Sequence, residues 1–90
     1  MKREELLQKA SDLVNGDRAA IYGDAWENHS RIARIWSGIL GQHIKPEQVY
    51  MCMIGLKLAR LANTPEHLDS WIDVAGYAAL GGEGLTEPSD

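Results

Sequence analysis

Apolar residues recur every three or four positions in four separate stretches of this chain, and no stretch alternates apolar with polar residues. Such spacing is typical of an amphipathic α-helix, whereas a half-buried strand would alternate with a period of two. The pattern predicts an all-α fold, a compact bundle of about four helices. They are expected at about residues 3–15, 25–40, 46–63 and 65–80.

Residues with known capping preferences mark the ends of the predicted helices. Asp24 is suited to cap the second helix, with Glu27 three residues later as its capping-box partner. Pro46 fits the first turn of the third helix, where a missing N–H leaves no intrahelical bond unmade. Thr64-Pro65 is expected to open the fourth helix and Gly81-Gly82 to end it.

The length of the chain, 90 residues, allows one domain only. We predict a single helical domain over residues 1–82 and a disordered acidic tail over residues 83–90. The net charge of −4 argues against contact with an extended nucleic-acid backbone, and no apolar run is long enough to cross a membrane. These properties predict a cytoplasmic protein that gains additional burial by forming a homo-oligomer.

The third predicted helix is apolar on nearly every face, which is typical of a buried helix. Its two basic residues, Lys57 and Arg60, share one face, and Asp69 and Asp73 share a face of the fourth helix. A short turn joins the two helices, so we expect them to pack as an antiparallel hairpin. Facing residues then have nearly constant index sums, which places Arg60 opposite Asp69 and Lys57 opposite Asp73.

These four charges have two interpretations. In the first, they are interhelical salt bridges that fix the register of the hairpin, because charges in a core are normally paired. In the second, they form a pocket in which the cations hold a phosphate and the carboxylates hold a metal or a ribose. Paired carboxylates on one helical face suit Mg²⁺. Both interpretations can hold, because a binding site needs rigid support.

The polar segment that leads into the second helix is another candidate site. A loop entering a helix N-terminus presents free N–H groups to an anion, and Arg18 would add a guanidinium contact. Tyr22 offers a ring for stacking, and Asn28 extends the apolar stripe of the second helix. The simpler interpretation is a turn followed by a cap, which explains Asp24 and Glu27 but not Arg18 or Asn28.

No diagnostic catalytic motif accompanies these residues. The three histidines lack metal-ligand spacing, and Cys52 is assigned to the core. The chain has neither a P-loop nor a dinucleotide fingerprint. We therefore predict no catalytic residue and no bound metal, and the residues alone leave enzymatic activity open.

Five motifs follow one another in a fixed order. They are Gly16-Asp17-Arg18, Tyr22-Gly23, Asn28-His29-x-x-Ile32-Ala33-x-x-Trp36, Met53-Ile54-x-Leu56-Lys57-x-Ala59-Arg60 and Asp69-x-Trp71-Ile72-Asp73-Val74-Ala75-Gly76-Tyr77. This order resembles a family of small phage-encoded proteins of unknown function, over about residues 12–82. The resemblance implies a protein that acts in the cytoplasm of a bacterial host.

The closing part of this pattern, Lys57…Arg60…Asp69…Asp73…Gly76-Tyr77, is also similar, more distantly, to the all-α nucleotide pyrophosphatases of the MazG-like type. In those enzymes, acidic residues on two helices hold Mg²⁺ and a nucleoside triphosphate. The similarity implies metal ligands at Asp69 and Asp73, helix-two acids at Asp24 and Glu27, and phosphate contacts from the neighbouring cations. The E-x-x-E pattern of those enzymes is not present inside a helix here.

Three functions follow as hypotheses. The preferred one is sequestration, without turnover, of a nucleotide, a nucleotide-derived host signal or another phosphorylated small molecule. Such sequestration would serve the phage in counter-defence. The first alternative is a Mg²⁺-dependent nucleotide pyrophosphatase, and the second is a structural or host-protein-binding scaffold. The expected ligand-binding residues are Arg18, Tyr22, Asn28, Lys57, Arg60, Asp69, Asp73 and Tyr77.

Overall fold

The computed structural model describes residues 1–16 and 24–86, which form four α-helices and no strand. The helices are α1 Arg3–Asn15, α2 Ala25–Leu40, α3 Pro46–Asn63 and α4 Leu68–Thr86. The all-α prediction is confirmed, and the first three helices have the predicted bounds. Arg18 and Tyr22 lie outside the described residues, as do the last four residues of the predicted tail.

Local chemistry explains the bounds of the first three helices. The Asp24 carboxylate accepts a hydrogen bond from the backbone N–H of Glu27 at 3.0 Å, which caps α2. Gly41 ends α2 with a left-handed backbone (φ 67°), and its N–H donates to the carbonyl of Ser37 at 2.9 Å. Pro46 is the first residue of α3, as predicted.

The start of α4 differs from the prediction. Thr64 donates its N–H to the carbonyl of Arg60 at 2.9 Å, so it closes α3 and does not open α4. The turn that follows is held by a hydrogen bond from the Trp71 indole N–H to the carbonyl of Pro65 at 2.8 Å. α4 therefore begins only at Leu68.

The end of α4 also lies beyond the prediction, because the helix continues through Gly81-Gly82 to Thr86. Gly81 packs against the ring of Tyr50, and Gly84 packs against the ring of Trp26. Tertiary packing along this stretch outweighs the cost of its glycines, about 1 kcal/mol each relative to Ala. Residues 83–86, predicted to belong to a disordered tail, are helical.

α4 is the central helix of the molecule. It contacts each of the other three helices and packs most extensively on α3, whereas α1, in the described part of the chain, packs on α4 alone. The core is thin, and Val49 and Ser70 are its largest fully buried side chains. None of the helices in residues 1–16 and 24–86 combines the length and apolarity that a bilayer span requires.

The prediction that α3 is buried all round is wrong. Its outer face is open to solvent: Met51, Leu56 and Leu58 are each more than half exposed, and Cys52, assigned to the core, is also exposed. The reason is the arrangement of the helices, since α2 and α4 cover α3 while α1 packs elsewhere. On α2, Ile39, whose spacing places it in the apolar stripe with Ile32, Ile35 and Trp36, is 75% exposed.

Candidate functional site

An ion pair joins α3 to α4. Lys57 Nζ lies 3.1 Å from Asp73 Oδ2, and the two side chains keep only 16% and 24% of their exposure. The predicted opposition of these two residues is confirmed. Because both groups are largely removed from water, their attraction is screened less than that of a surface pair.

The second predicted pair does not form. Arg60 and Asp69 are both exposed, and the ion pairs among the described residues do not include one between them. Arg60 lies in the last turn of α3 and Asp69 in the first turn of α4. Each charge is favourable for the dipole of its own helix there, and needs no partner across the turn.

A shallow, open cleft of about 530 Å³ lies at the surface where α1 packs on α4. It contains both predicted aspartates of α4. Its lining residues are Lys9, Asp12, Leu13, Asp69, Ile72 and Asp73. Lys9 and Asp12 were not predicted as site residues, and the only signal for them was their three-residue spacing on α1.

The cleft has more acidic than basic residues. Asp12, Asp69 and Asp73 face a single lysine, Lys9, so the lining itself favours cations over anions. Within the described residues, no group of three or more His, Cys, Asp or Glu side chains is arranged to hold a metal ion. The Asp73 carboxylate is also already engaged by Lys57.

An aromatic cluster of Trp26, His29, Tyr50 and Tyr77 joins α2, α3 and α4. The His29 and Tyr50 rings stack with centroids 3.9 Å apart and planes 12° apart, and the Trp26 ring lies 6.0 Å from that of Tyr50. Tyr77 approaches His29 edge-on at 6.2 Å. Only Tyr77 was predicted as a site residue, and the other three carry no spacing signal that links them.

Tyr50 is the most deeply buried member of this aromatic cluster. It is 2% exposed, and its hydroxyl has no hydrogen-bond partner among the described residues. Burial, together with the negative charges of Asp24 and Glu83, raises the pKa of its phenol from 10.0 to about 12. The ring packs against its neighbours while its hydroxyl makes no hydrogen bond, and this reduces the free energy of unfolding.

The aromatic cluster adjoins the Lys57–Asp73 ion pair. Tyr50 precedes Lys57 by two helical turns on α3, and Tyr77 follows Asp73 by one turn on α4. Residues at these spacings share a helical face. We call the aromatic cluster and the ion pair together the α3–α4 seam.

Described residues on either side of positions 17–23 lie near this seam. On one side, Val14 of α1 lies against Gly76, next to Tyr77. On the other side, Asp24 is close enough to raise the pKa of Tyr50. The positions of Arg18 and Tyr22 themselves lie outside the described residues.

Asn28, the remaining predicted residue, is half-buried on α2. Its side-chain oxygen accepts a hydrogen bond from the guanidinium of Arg31 at 3.4 Å, within its own helix. Of the predicted residues in the described part of the chain, the seam thus contains Lys57, Asp73 and Tyr77. Asp69 lines the adjoining cleft, and Arg60 lies exposed at the end of α3.

The fold and this site define a small all-α protein with a polar and aromatic seam between its two longest helices. The chain belongs to the family described as Domain of unknown function (DUF6378), whose model matches residues 5–84. The predicted resemblance to a family of unknown function is thereby confirmed. The similarity to MazG-like enzymes stays a prediction.

Two curated relatives come from mycobacteriophages. The chain is 45% identical over 76 residues to the gene 55 protein of Mycobacterium phage L5. This alignment covers 83% of the chain and 49% of the relative. The chain is 41% identical over 75 residues to the gene 55 protein of Mycobacterium phage D29, covering 83% and 50%. The chain thus spans about half the length of these relatives, and no solved structure matches it.

Proposed function

We propose that this chain is a phage-encoded accessory protein that binds a nucleotide, or a nucleotide-derived signal, in the host cytoplasm without turning it over. The observation that carries the proposal is the α3–α4 seam, where a cation and a carboxylate continue directly into aromatic rings. A nucleotide has the matching parts: a phosphate for the cation, a ribose for the carboxylate and a base for the rings.

The ion pair would act as a latent phosphate site. Lys57 retains part of its exposure, so its ammonium can exchange the Asp73 carboxylate for a phosphate oxygen. Asp73 would then accept hydrogen bonds from ribose hydroxyls. Arg60 lies one turn further along α3 and would add a second positive charge.

The segment with Arg18 and Tyr22 would complete the site. This is supported by the described residues on either side of it, since Val14 and Asp24 both lie near the seam. Arg18 would contribute a bidentate phosphate contact, and Tyr22 would stack on the base together with Tyr77.

We also infer that α3 and α4 run antiparallel as a hairpin, within a chain that works as a homo-oligomer. Two contacts support the direction of the helices. Tyr50 meets Gly81 and Lys57 meets Asp73, so numbers that rise along α3 fall along α4. The turn from residue 64 to residue 67 has the short length expected for such a connection.

Binding without turnover is favoured because two acids that the pyrophosphatase would need have structural partners. The Asp24 carboxylate caps α2, and the Asp73 carboxylate holds Lys57. A carboxylate in either position has a weaker negative field to offer a metal ion.

A Mg²⁺-dependent nucleotide pyrophosphatase is the second candidate. The observation that favours it is the excess of carboxylates in the cleft, where Asp12 and Asp69 join Asp73. Mg²⁺ usually takes one or two carboxylates together with phosphate oxygens and water. A nucleoside triphosphate would supply those phosphate oxygens.

Calorimetric titration with a panel of linear and cyclic nucleotides, with and without Mg²⁺, tests the proposal. We expect at least one nucleotide to bind and to be recovered intact by chromatography. Replacing Lys57→Met should weaken that binding by at least tenfold, because a phosphate loses its cation. The matched control is Arg34→Met, which removes an exposed charge on the outer side of α2.

Each other result has a defined meaning. Conversion of a triphosphate to the monophosphate and pyrophosphate in Mg²⁺ would overturn binding without turnover and support the second candidate. Failure of every nucleotide to bind would overturn both and leave the scaffold hypothesis. Equal losses in Lys57→Met and Arg34→Met would show that the seam is not the site.

A further inference from the structure

The outer face of α2 combines exposed isoleucines with positive charge, and we propose that it binds an acidic amphipathic helix of another protein. The face consists of every exposed residue of α2 except its last residue, Leu40. With a rotation of 100° per residue, these residues lie on the side away from His29 and Ala33, which are buried. They are Glu27, Arg31, Arg34, Ile35, Gly38 and Ile39, and we call them the α2 outer face.

Two large apolar side chains of the α2 outer face are open to solvent. Ile35 is 55% exposed and Ile39 is 75% exposed, and the two lie one turn apart on the same side of the helix. α2 packs on α3 and α4, whereas α1, in the described part of the chain, packs on α4 alone. A partner that removed both isoleucines from water would therefore gain hydrophobic burial that the fold leaves unused.

The charge of this face selects the sign of the partner. Arg31 and Arg34 are exposed in the middle of the helix, and the one acid of the face, Glu27, lies in the first turn. Residues 28–46 contain these two arginines, Lys45 and no Asp or Glu, in a chain whose net charge is −4. Because positive charge is concentrated here, electrostatic complementarity requires a negatively charged partner.

Gly38 gives a second helix room to approach. It lies opposite the buried His29 and one turn from both Arg34 and Ile35. A Cβ at this position would meet nothing within 4 Å. Glycine inside a helix lowers stability relative to alanine, and no contact among the described residues offsets that loss. A partner side chain over Gly38 would contact Ile35, while a carboxylate beside it would reach Arg34.

An acidic helix fits the α2 outer face better than other surfaces do. In a symmetric pair of two copies, the arginines of one copy would lie near those of the other, and like charges repel. An anionic membrane would repel a chain of net charge −4, and the face has no aromatic side chain to anchor it at a lipid interface. An amphipathic helix supplies both apolar residues for the isoleucines and carboxylates for the arginines.

Selection from a displayed library of random peptides tests the proposal. The peptides have the length of α2, 16 residues, and are selected on the immobilised wild-type chain. We expect the enriched peptides to have a net negative charge and apolar residues at three- and four-residue spacing. Their binding should weaken as the salt concentration is raised, because the arginines of the face are exposed.

The enriched peptide that binds most tightly is then titrated against variants by fluorescence anisotropy. Ile35→Ser should weaken its binding by about tenfold, and Arg34→Gln by about fivefold. The matched controls lie on α1. They are Leu7→Ser, since Leu7 is 61% exposed, and Arg3→Gln, and both should bind the peptide as the wild-type chain does.

Gly38→Ala separates docking from folding. The added methyl group has open space in the free chain, so helix propensity should raise the melting temperature. The same methyl group would hold a partner helix away from α2, so binding of the peptide should weaken by about threefold. A variant that is more stable and binds less tightly cannot owe its loss of binding to unfolding.

The proposal is overturned if no peptide is enriched, or if the enriched peptides have no net negative charge. Equal losses of binding in Ile35→Ser and Leu7→Ser would also overturn it. Binding of the chain to phosphatidylglycerol vesicles, lost in Ile35→Ser, would assign the face to a membrane instead. A concentration-dependent dimer that is lost in the same variant would assign it to a second copy.

Discussion

Tyr50 brings an unsatisfied hydroxyl into the centre of the molecule, between His29 and Gly81. A buried polar group without a partner costs about 1–3 kcal/mol, whereas its removal leaves the packing of the ring unchanged. We therefore predict that Tyr50→Phe keeps or raises the free energy of unfolding at pH 7, by about 1 kcal/mol. Urea unfolding measures it, and a loss above 1 kcal/mol would show that the hydroxyl has a partner.

The same residue predicts a pH dependence at alkaline pH. The pKa of Tyr50 is about 12 in the folded chain and 10.0 as the ordinary value. The unfolded chain therefore loses the proton first, so stability is complete below pH 10 and falls as pH rises towards 12, by about 2–3 kcal/mol in total. Tyr50→Phe should lack this part of the decrease, and parallel curves for the two proteins would contradict it.

The Lys57–Asp73 ion pair should contribute measurably to stability. Its side chains are mostly buried, so a double-mutant cycle with Lys57→Met and Asp73→Asn should give a coupling of about 1–3 kcal/mol. The corresponding cycle for Arg60 and Asp69 should give about zero, since the two exposed groups do not pair. Equal coupling energies in the two cycles would contradict the structure.

At this scale, the sequence predicted part of the site. A constant index sum in a hairpin placed Lys57 opposite Asp73 correctly, because both lie well inside their helices. The same rule failed for Arg60 and Asp69, because the conformation of the turn between them determines where these two residues lie, and the index sum does not describe that turn. The aromatic cluster was missed because His29, Tyr50 and Tyr77 come from three helices, and no spacing in one sequence shows such a contact.

At the scale of the elements, two glycines near the end of α4 can be compared directly. A side chain at Gly84 would overlap the ring of Trp26, whereas Gly82 has open space around it. We predict that Gly84→Ala destabilises the chain by about 1–3 kcal/mol, because the Trp26 ring must move. Gly82→Ala should stabilise it by about 0.5–1 kcal/mol through helix propensity.

Thermal unfolding and Trp fluorescence measure this pair of variants. Gly84→Ala should lower the melting temperature and change the fluorescence, while Gly82→Ala should raise the former and leave the latter unchanged. Stabilisation by both changes would mean that the end of α4 does not pack on α2 at Trp26.

Helix ends were predicted correctly where interactions between neighbouring residues determine them, and wrongly where contacts between distant residues do. Asp24, Gly41 and Pro46 act on their immediate neighbours, so the ends of α2 and α3 were predictable. The extension of α4 beyond Gly81-Gly82 depends on contacts with Tyr50 and Trp26, which are remote in sequence. The apolar composition of α3 predicted burial on nearly every face, and this was wrong because α1 packs on α4 and leaves one side of α3 uncovered.

For the whole molecule, association into the proposed homo-oligomer, of which a dimer is the smallest form, would make stability depend on protein concentration. If folding and association are coupled, each tenfold increase in protein concentration adds about 1.4 kcal/mol per dimer and raises the melting temperature by roughly 3–5 °C. Calorimetry over roughly a hundredfold range of protein concentration would measure this. A melting temperature that stays the same over this range would contradict the homo-oligomer.

The position of α1 has a consequence for the order in which the molecule folds. α3 and α4 are joined by four residues, whereas α1 packs on α4 across more than fifty residues of chain. Nearby contacts close at a smaller cost in chain entropy, so we expect α3 and α4 to associate first and α1 to dock last. Hydrogen exchange checks this, since the amides of α1 should open without global unfolding and those of α3 should not. Because α1 supplies one wall of the cleft and one attachment of residues 17–23, the site would be assembled only in the final folding step, and a ligand held there would keep the chain from opening.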